Sequence, residues 1–127
     1  MVNDLPANFL GLPVPQFTSR AMSSSTANAG ELTGAGLCIA INTGGTPGTL
    51  TTRTPALMIA DSNLQVGQTW LLILCNFQGT GVLTLAAGSG ATVGGTATVA
   101  INTARLFTGL VASLTSIVFT GQTFAWT

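Results

Sequence analysis

The 127-residue chain has no lysine, no histidine and no tyrosine, and only six charged residues: Asp4, Arg20, Glu31, Arg53, Asp61 and Arg105. Charged residues make up 5% of it, against about a quarter of an ordinary globular domain. Each absence excludes something. Without histidine, a catalytic site has no ready proton acceptor near neutral pH and a metal site has no imidazole ligand. Without lysine, and with a net charge of zero, there is no basic patch to hold nucleic acid. Mean hydropathy is positive at +0.59, yet no apolar run approaches the roughly 18 residues of a membrane-spanning helix. The longest, Trp70-Leu71-Leu72-Ile73-Leu74-Cys75, has the length of a buried strand. No basic region followed by an apolar core opens the chain, so a signal peptide is not expected. A surface so poor in charge does nothing to hold neighbouring molecules apart. The composition therefore predicts a surface occupied by copies of the same chain or by a larger assembly, and a structural part rather than an enzyme.

Cys38 and Cys75 are the only cysteines, each inside an apolar strand-like run. They read as small buried hydrophobes, the alternative being a bridge between neighbouring strands. With no histidine and no CxxC spacing, they cannot complete a tetrahedral metal shell.

Residues 1–30 differ from the rest. The first seventeen contain three prolines and no helical or alternating period, yet include Val2, Leu5, Phe9, Leu10, Leu12, Val14 and Phe17. Proline stiffens an extended chain, and this one is too apolar for a disordered polar tail. The segment is read as an extended arm that lies on a partner chain through Leu5, Phe9, Leu10, Leu12, Val14 and Phe17. The alternative is that it covers an open edge of its own domain. Arg20 to Gly30 reads as a polar, small-residue linker.

From Glu31 the chain becomes short strands punctuated by turn residues, about one every ten positions. Leu37–Asn42, Gln68–Phe77, Val82–Ala86, Ala91–Ile101, Arg105–Ala112, Ser116–Thr120 and Thr123–Trp126 carry the β-forming residues. Gln78-Gly79-Thr80-Gly81 resembles a hairpin loop. One short helix is expected after Thr54, with Pro55 at its first position. The pattern predicts an all-β fold, a β-sandwich of jelly-roll or tulip-like kind over residues 31–127 with an extended N-terminal arm and linker over 1–30.

Several segments in order carry a resemblance. Thr52-Arg53-Thr54-Pro55-Ala56 is followed by Val66-Gly67-Gln68-Thr69-Trp70. Next come Leu83-Thr84-Leu85-Ala86-Ala87-Gly88-Ser89-Gly90 and Gly95-Thr96-Ala97-Thr98-Val99, and then Thr103-Ala104-Arg105-Leu106-Phe107. Over residues 50–120 the order is similar to β-rich modules of tailed-phage virion proteins, above all capsid cement (decoration) proteins and some tail-fibre tips. Gln68 stands where that pattern more usually has Asp, and Ala91 where it has a β-branched residue. The resemblance implies a homotrimeric virion component on the outer surface of the capsid head. Such a subunit bridges neighbouring copies of the major capsid protein, without cofactor and without contact to nucleic acid or membrane. A tail-fibre or receptor-binding tip is the alternative. A secreted carbohydrate-binding accessory would need a signal peptide and an aromatic platform, and neither is evident.

Catalytic chemistry finds few groups to work with. Asp4, Glu31 and Asp61 are scattered along the chain, and a carboxylate pair would require two of them to meet in the fold. Gly88-Ser89-Gly90 and Gly94-Gly95 are read as turns or bulges, since no lysine follows and no helix opens there. Arg53, Arg105 and Trp126 are marked as possible contacts between subunits. Arg105 is expected to pair with Asp61 or with a neighbouring subunit's acid, and Arg53 to hold a loop through backbone carbonyls. Trp70, Phe77, Phe107, Phe119, Phe124 and Trp126 are expected to anchor the core.

Overall fold

The computed structural model describes residues 16–22, 24–34, 36–44, 48–77 and 80–126, with side chains through Thr123. Among the described residues the chain is mostly β, with two sheets and one short helix. In chain order the strands are β1 (Gln16–Arg20), β2 (Ser25–Thr26), β3 (Leu37–Asn42), β4 (Thr49–Thr51), β5 (Thr69–Asn76), β6 (Leu83–Ala86), β7 (Ala91–Gly95), β8 (Thr98–Val99), β9 (Thr103–Ser113) and β10 (Ser116–Trp126). The helix α1 (Pro55–Ser62) lies between β4 and β5. Its start follows the sequence: Thr54 is extended and Pro55 occupies the first turn, where a missing N–H costs nothing. Asn63 closes it in the left-handed conformation at φ 52°.

The larger sheet has the order β1-β3-β5-β9-β10-β7 and the smaller one β2-β4-β6-β8. Up to β6 the chain alternates between the sheets, laying each new strand parallel to the one before it in the same sheet. The result is three stacked coils. The chain then reverses: β9 runs antiparallel to β5, and β10 forms a hairpin with β9. Among the described residues five pairings are parallel and three antiparallel. A jelly roll is built from antiparallel strands, so its strand order is not the one observed here. Gln78 and Gly79 of the expected hairpin loop lie outside the described residues, and the strands before and after them, β5 and β6, belong to different sheets.

Residues 1–15 and Ser23 of the segment read as arm and linker lie outside the described residues, and the rest of it is built into the fold. Residues 16–30 carry β1 and β2, with β1 in register against β3 from Gln16↔Cys38 to Arg20↔Asn42. Met22 and Ala27 are buried in the common core. What looked like a linker is the first coil, and its small residues allow tight turns between short strands.

One buried cluster draws on both sheets: Leu72, Leu74, Phe107, Ile117 and Phe119 come from the larger, and Leu50, Leu83, Leu85 and Val99 from the smaller. Trp70 donates its indole N–H to the Leu32 carbonyl at 2.9 Å and meets Phe119 edge-on at 5.7 Å. Gly109 lies flat against this indole, and a Cβ there would enter the ring. Trp70, Phe107 and Phe119 are core anchors, as expected. Phe77 is exposed at the end of β5, because Asn76 ends the inward alternation. The side chains of Phe124 and Trp126 lie outside the described residues.

Candidate functional site: a sheet with two unlike faces

Alternation along a strand sends successive side chains to opposite faces of a sheet. On the inner face of the larger sheet the strand-end positions Arg20, Asn42, Asn76 and Thr103 stand in one row across four strands. Asn42 accepts from the Met22 N–H at 2.8 Å and donates to Asn76 Oδ1 at 2.9 Å. Asn76 in turn donates to the carbonyls of Val99 at 3.0 Å and Gly81 at 3.1 Å. Both asparagines are fully buried, so these bonds tie successive coils together where water cannot compete. Nothing in the sequence reading singled out Asn42 or Asn76. Their one signal is that each ends an apolar strand.

Arg20 continues the row at the sheet edge. It grips Glu31 through Nε at 2.6 Å and Nη2 at 2.8 Å, and Glu31 also accepts from the Asn28 N–H at 3.1 Å. Glu31 is buried to 1% exposure. The hydrogen bond to its carboxylate, more than the charge itself, raises the Arg20 pKa, against a smaller opposing effect of burial. A residue read as a linker boundary is therefore the buried clasp of the first coil.

The other two arginines exchange their expected roles. Arg53 pairs with Asp61 of α1, Nε to Oδ2 at 2.7 Å. Arg105, buried in β9, donates to the backbone carbonyls of Thr98 and Gln122. Arg53 and Arg105 thus make contacts within their own chain. The physical reason is distance in the fold: α1 packs beside the segment that carries Arg53, and β9 carries Arg105 inward beside β8. Every described carboxylate, Glu31 and Asp61, is engaged by an arginine.

The cysteines sit on opposite faces. Cys38 stands beside Leu72 on the inner face and Cys75 beside Ile41 on the outer, so neither reaches the other, and both are free thiols. Burial, reinforced by nearby Glu31, pushes the Cys38 thiol up to about 12. Burial alone raises Cys75.

The outer face of the larger sheet is different in kind. Its rows run Phe17–Ile39–Ile73–Leu106, Leu37–Leu71–Thr108–Thr120, and Thr69–Leu110–Val118–Thr92. No outward position in the described strands of this sheet holds a charged residue. The two charged residues of the sheet, Arg20 and Arg105, both point inward. Phe17 is 63% exposed, Leu71 44% and Leu110 39%. Of the six proposed arm residues, only Phe17 is described, and it belongs to β1 on this face. Leu5, Phe9, Leu10, Leu12 and Val14 lie outside the described residues. So does the side chain of Trp126. Comparison with protein-family models, curated proteins and solved structures finds no match to this chain.

Proposed function

We propose that this chain is a non-enzymatic structural virion protein: a capsid cement subunit that trimerises on the outer surface of the phage head and bridges neighbouring major capsid proteins. In this reading the two sheets form a β-sandwich, since one buried cluster is fed by both. The observation that carries the proposal is the larger sheet, whose strands β3 and β5 hold mainly apolar residues on both faces and whose outer face has no charge at its described positions. Strands that are apolar on both faces are characteristic of sheets covered on both sides, and contiguous exposed apolar patches beyond a few hundred Å² mark interaction surfaces. The choice of a virion rests on the resemblance of residues 50–120 to cement proteins.

The mechanism is burial rather than chemistry. Apolar area removed from water contributes about 25 cal/mol per Å², and a lattice repeats each contact many times over. The prolines of residues 1–15 lower the entropy lost when that segment settles on a neighbour. Because β1 begins at Gln16, the segment can be removed without cutting a described strand. Deletion of residues 1–15 is expected to leave a folded, oligomeric β domain that binds isolated heads more weakly. Electron microscopy of heads lacking their own copies, after addition of the full chain, should show density over the head lattice. Density at the tail alone would place the protein at a fibre tip instead.

A further inference from the structure

We infer that the outer face of the larger sheet is the surface through which copies of this chain bind one another, an inference that rests on the assembly function proposed above. The occupant is a second copy for three reasons. First, the face has no charged residue at any described outward position, so two such faces meet without like-charge repulsion. A partner with charged groups at this contact would find no counter-charge here. Second, a face whose described rows hold aliphatic, aromatic and hydroxyl side chains is compatible with the same face of neighbouring copies around a threefold axis, where each copy offers one part of its face to one neighbour and another part to the next. Third, the area suffices. Six strands of five to eleven residues, at about 3.3 Å per residue and about 4.8 Å apart, give about 700 Å² of face per molecule, or about 600 Å² without the end where Cys75 and Ala104 are buried. Two such faces bury about 1,200 Å², the lower bound of standard stable interfaces.

Within the face, Leu71, Thr108 and Leu110 mark the centre, on the antiparallel strands β5 and β9, with Phe17 at one margin and Val118 toward the other. Sheet faces pack about 10 Å apart with strands nearly aligned. Leu71 and Leu110 would therefore interdigitate with the facing rows of the neighbouring copies, and the Phe17 ring would close the rim.

The test measures the mass of the full chain at micromolar concentration by light scattering, beside two variants. One carries Leu71→Glu with Leu110→Glu, at outward positions where a lone chain tolerates charge. The other carries Leu57→Glu on the exposed side of α1. The wild type and Leu57→Glu are expected to show a multiple of one chain's mass. The double variant should show a single chain's mass, with an unchanged circular dichroism spectrum and association weakened at least about 100-fold. An oligomer that survives the double substitution would overturn this interface while leaving the assembly function standing. Should the double variant misfold, Thr108→Cys supplies the reading. A short bis-maleimide should link two copies through the centre of the face, and failure to link an otherwise oligomeric protein would overturn the inference. A monomeric wild type would overturn it too, and maleimide labelling of Thr108→Cys then tells why. Protection would assign the face to the chain's own residues. Free labelling would leave it to a different protein, which is the case in which the cement reading survives without self-contact.

Discussion

The two faces of the larger sheet invert the usual arrangement. Its inner face, sealed from water, holds the polar devices: the Asn42–Asn76 pair, Arg105 on two carbonyls, and Arg20 closed on Glu31 at the edge. Its outer face has no charge at the described positions and exposes Phe17, Leu71 and Leu110, with Cys75 and Ala104 buried at one end. A protein that functions alone keeps its charge outside, where solvation is free, and its hydrocarbon within. Here the buried polar groups fix how the coils stack, a task that needs direction, while hydrocarbon is left exposed on the outer face. Under the proposed function, the difference assigns stability and assembly to opposite sides of the same strands, one residue apart in sequence.

The sharpest way to break that division is to cut the inner row. Asn76→Ala removes one acceptor and two donated bonds, taking the buried Asn42 amide's partner and one bond each from the Val99 and Gly81 carbonyls. The expected loss is about 3–5 kcal/mol, read as a lowered urea midpoint. Arg20→Met comes next. It strands the Glu31 carboxylate in the interior, a defect that costs about 3 kcal/mol when a buried pair loses one partner. Arg53→Met, whose partner Asp61 is nearer to water, should cost about 1 kcal/mol or less.

Adjacent residues of β9 sharpen the same comparison. Gly109→Ala drives a methyl group into the Trp70 indole and should cost about 2–3 kcal/mol, with a change in tryptophan fluorescence. Thr108→Ala, one position away on the outer face, should change single-chain stability by less than about 0.5 kcal/mol.

How far the sequence carries can be judged from particular elements. The strands Leu37–Asn42 and Thr69–Asn76 were legible because the runs Leu37–Ile41 and Trp70–Cys75 within them are apolar at every position, which excludes a half-solvated strand. The helix was legible because Thr54-Pro55 supplies a start that does not depend on tertiary structure. The neighbour of each strand was not legible, since a period of two specifies faces and says nothing about which strand lies alongside. Gln78–Gly81 therefore read as a hairpin although it leads from one sheet to the other. The Arg20–Gly30 stretch read as a linker because its strand is two residues long and its buried members, Met22 and Ala27, are isolated in sequence. Asn42 and Asn76 look like turn formers in a list of residues, and only the parallel register makes them partners. Glu31 was hidden for the same reason: its partner lies eleven positions back, across the turn of a coil.

The thiols give the smallest effects and the clearest signs. Cys38 is neutral in the fold up to about pH 12, whereas in the unfolded chain it ionises near 8.5. The folded state therefore holds its proton more tightly, and the resulting stability is complete below the unfolded value. It declines as pH rises from about 8.5 toward 12. Cys38→Ala should flatten that decline in urea titrations between pH 8 and 10. At fixed pH, alkylation should be slower at Cys38 than at Cys75, which burial alone perturbs.

The claim that the outer face is covered in the working protein is tested most directly by hydroxyl-radical footprinting of four leucines, which share one intrinsic reactivity. In the single chain Leu57 and Leu114 are 46% and 66% exposed, and Leu71 and Leu110 are 44% and 39% exposed. At micromolar concentration Leu57 and Leu114 should oxidise readily while Leu71 and Leu110 are protected severalfold, with the protection lost on dilution. Equal oxidation of Leu57 and Leu71, whose exposures nearly match, would contradict the account.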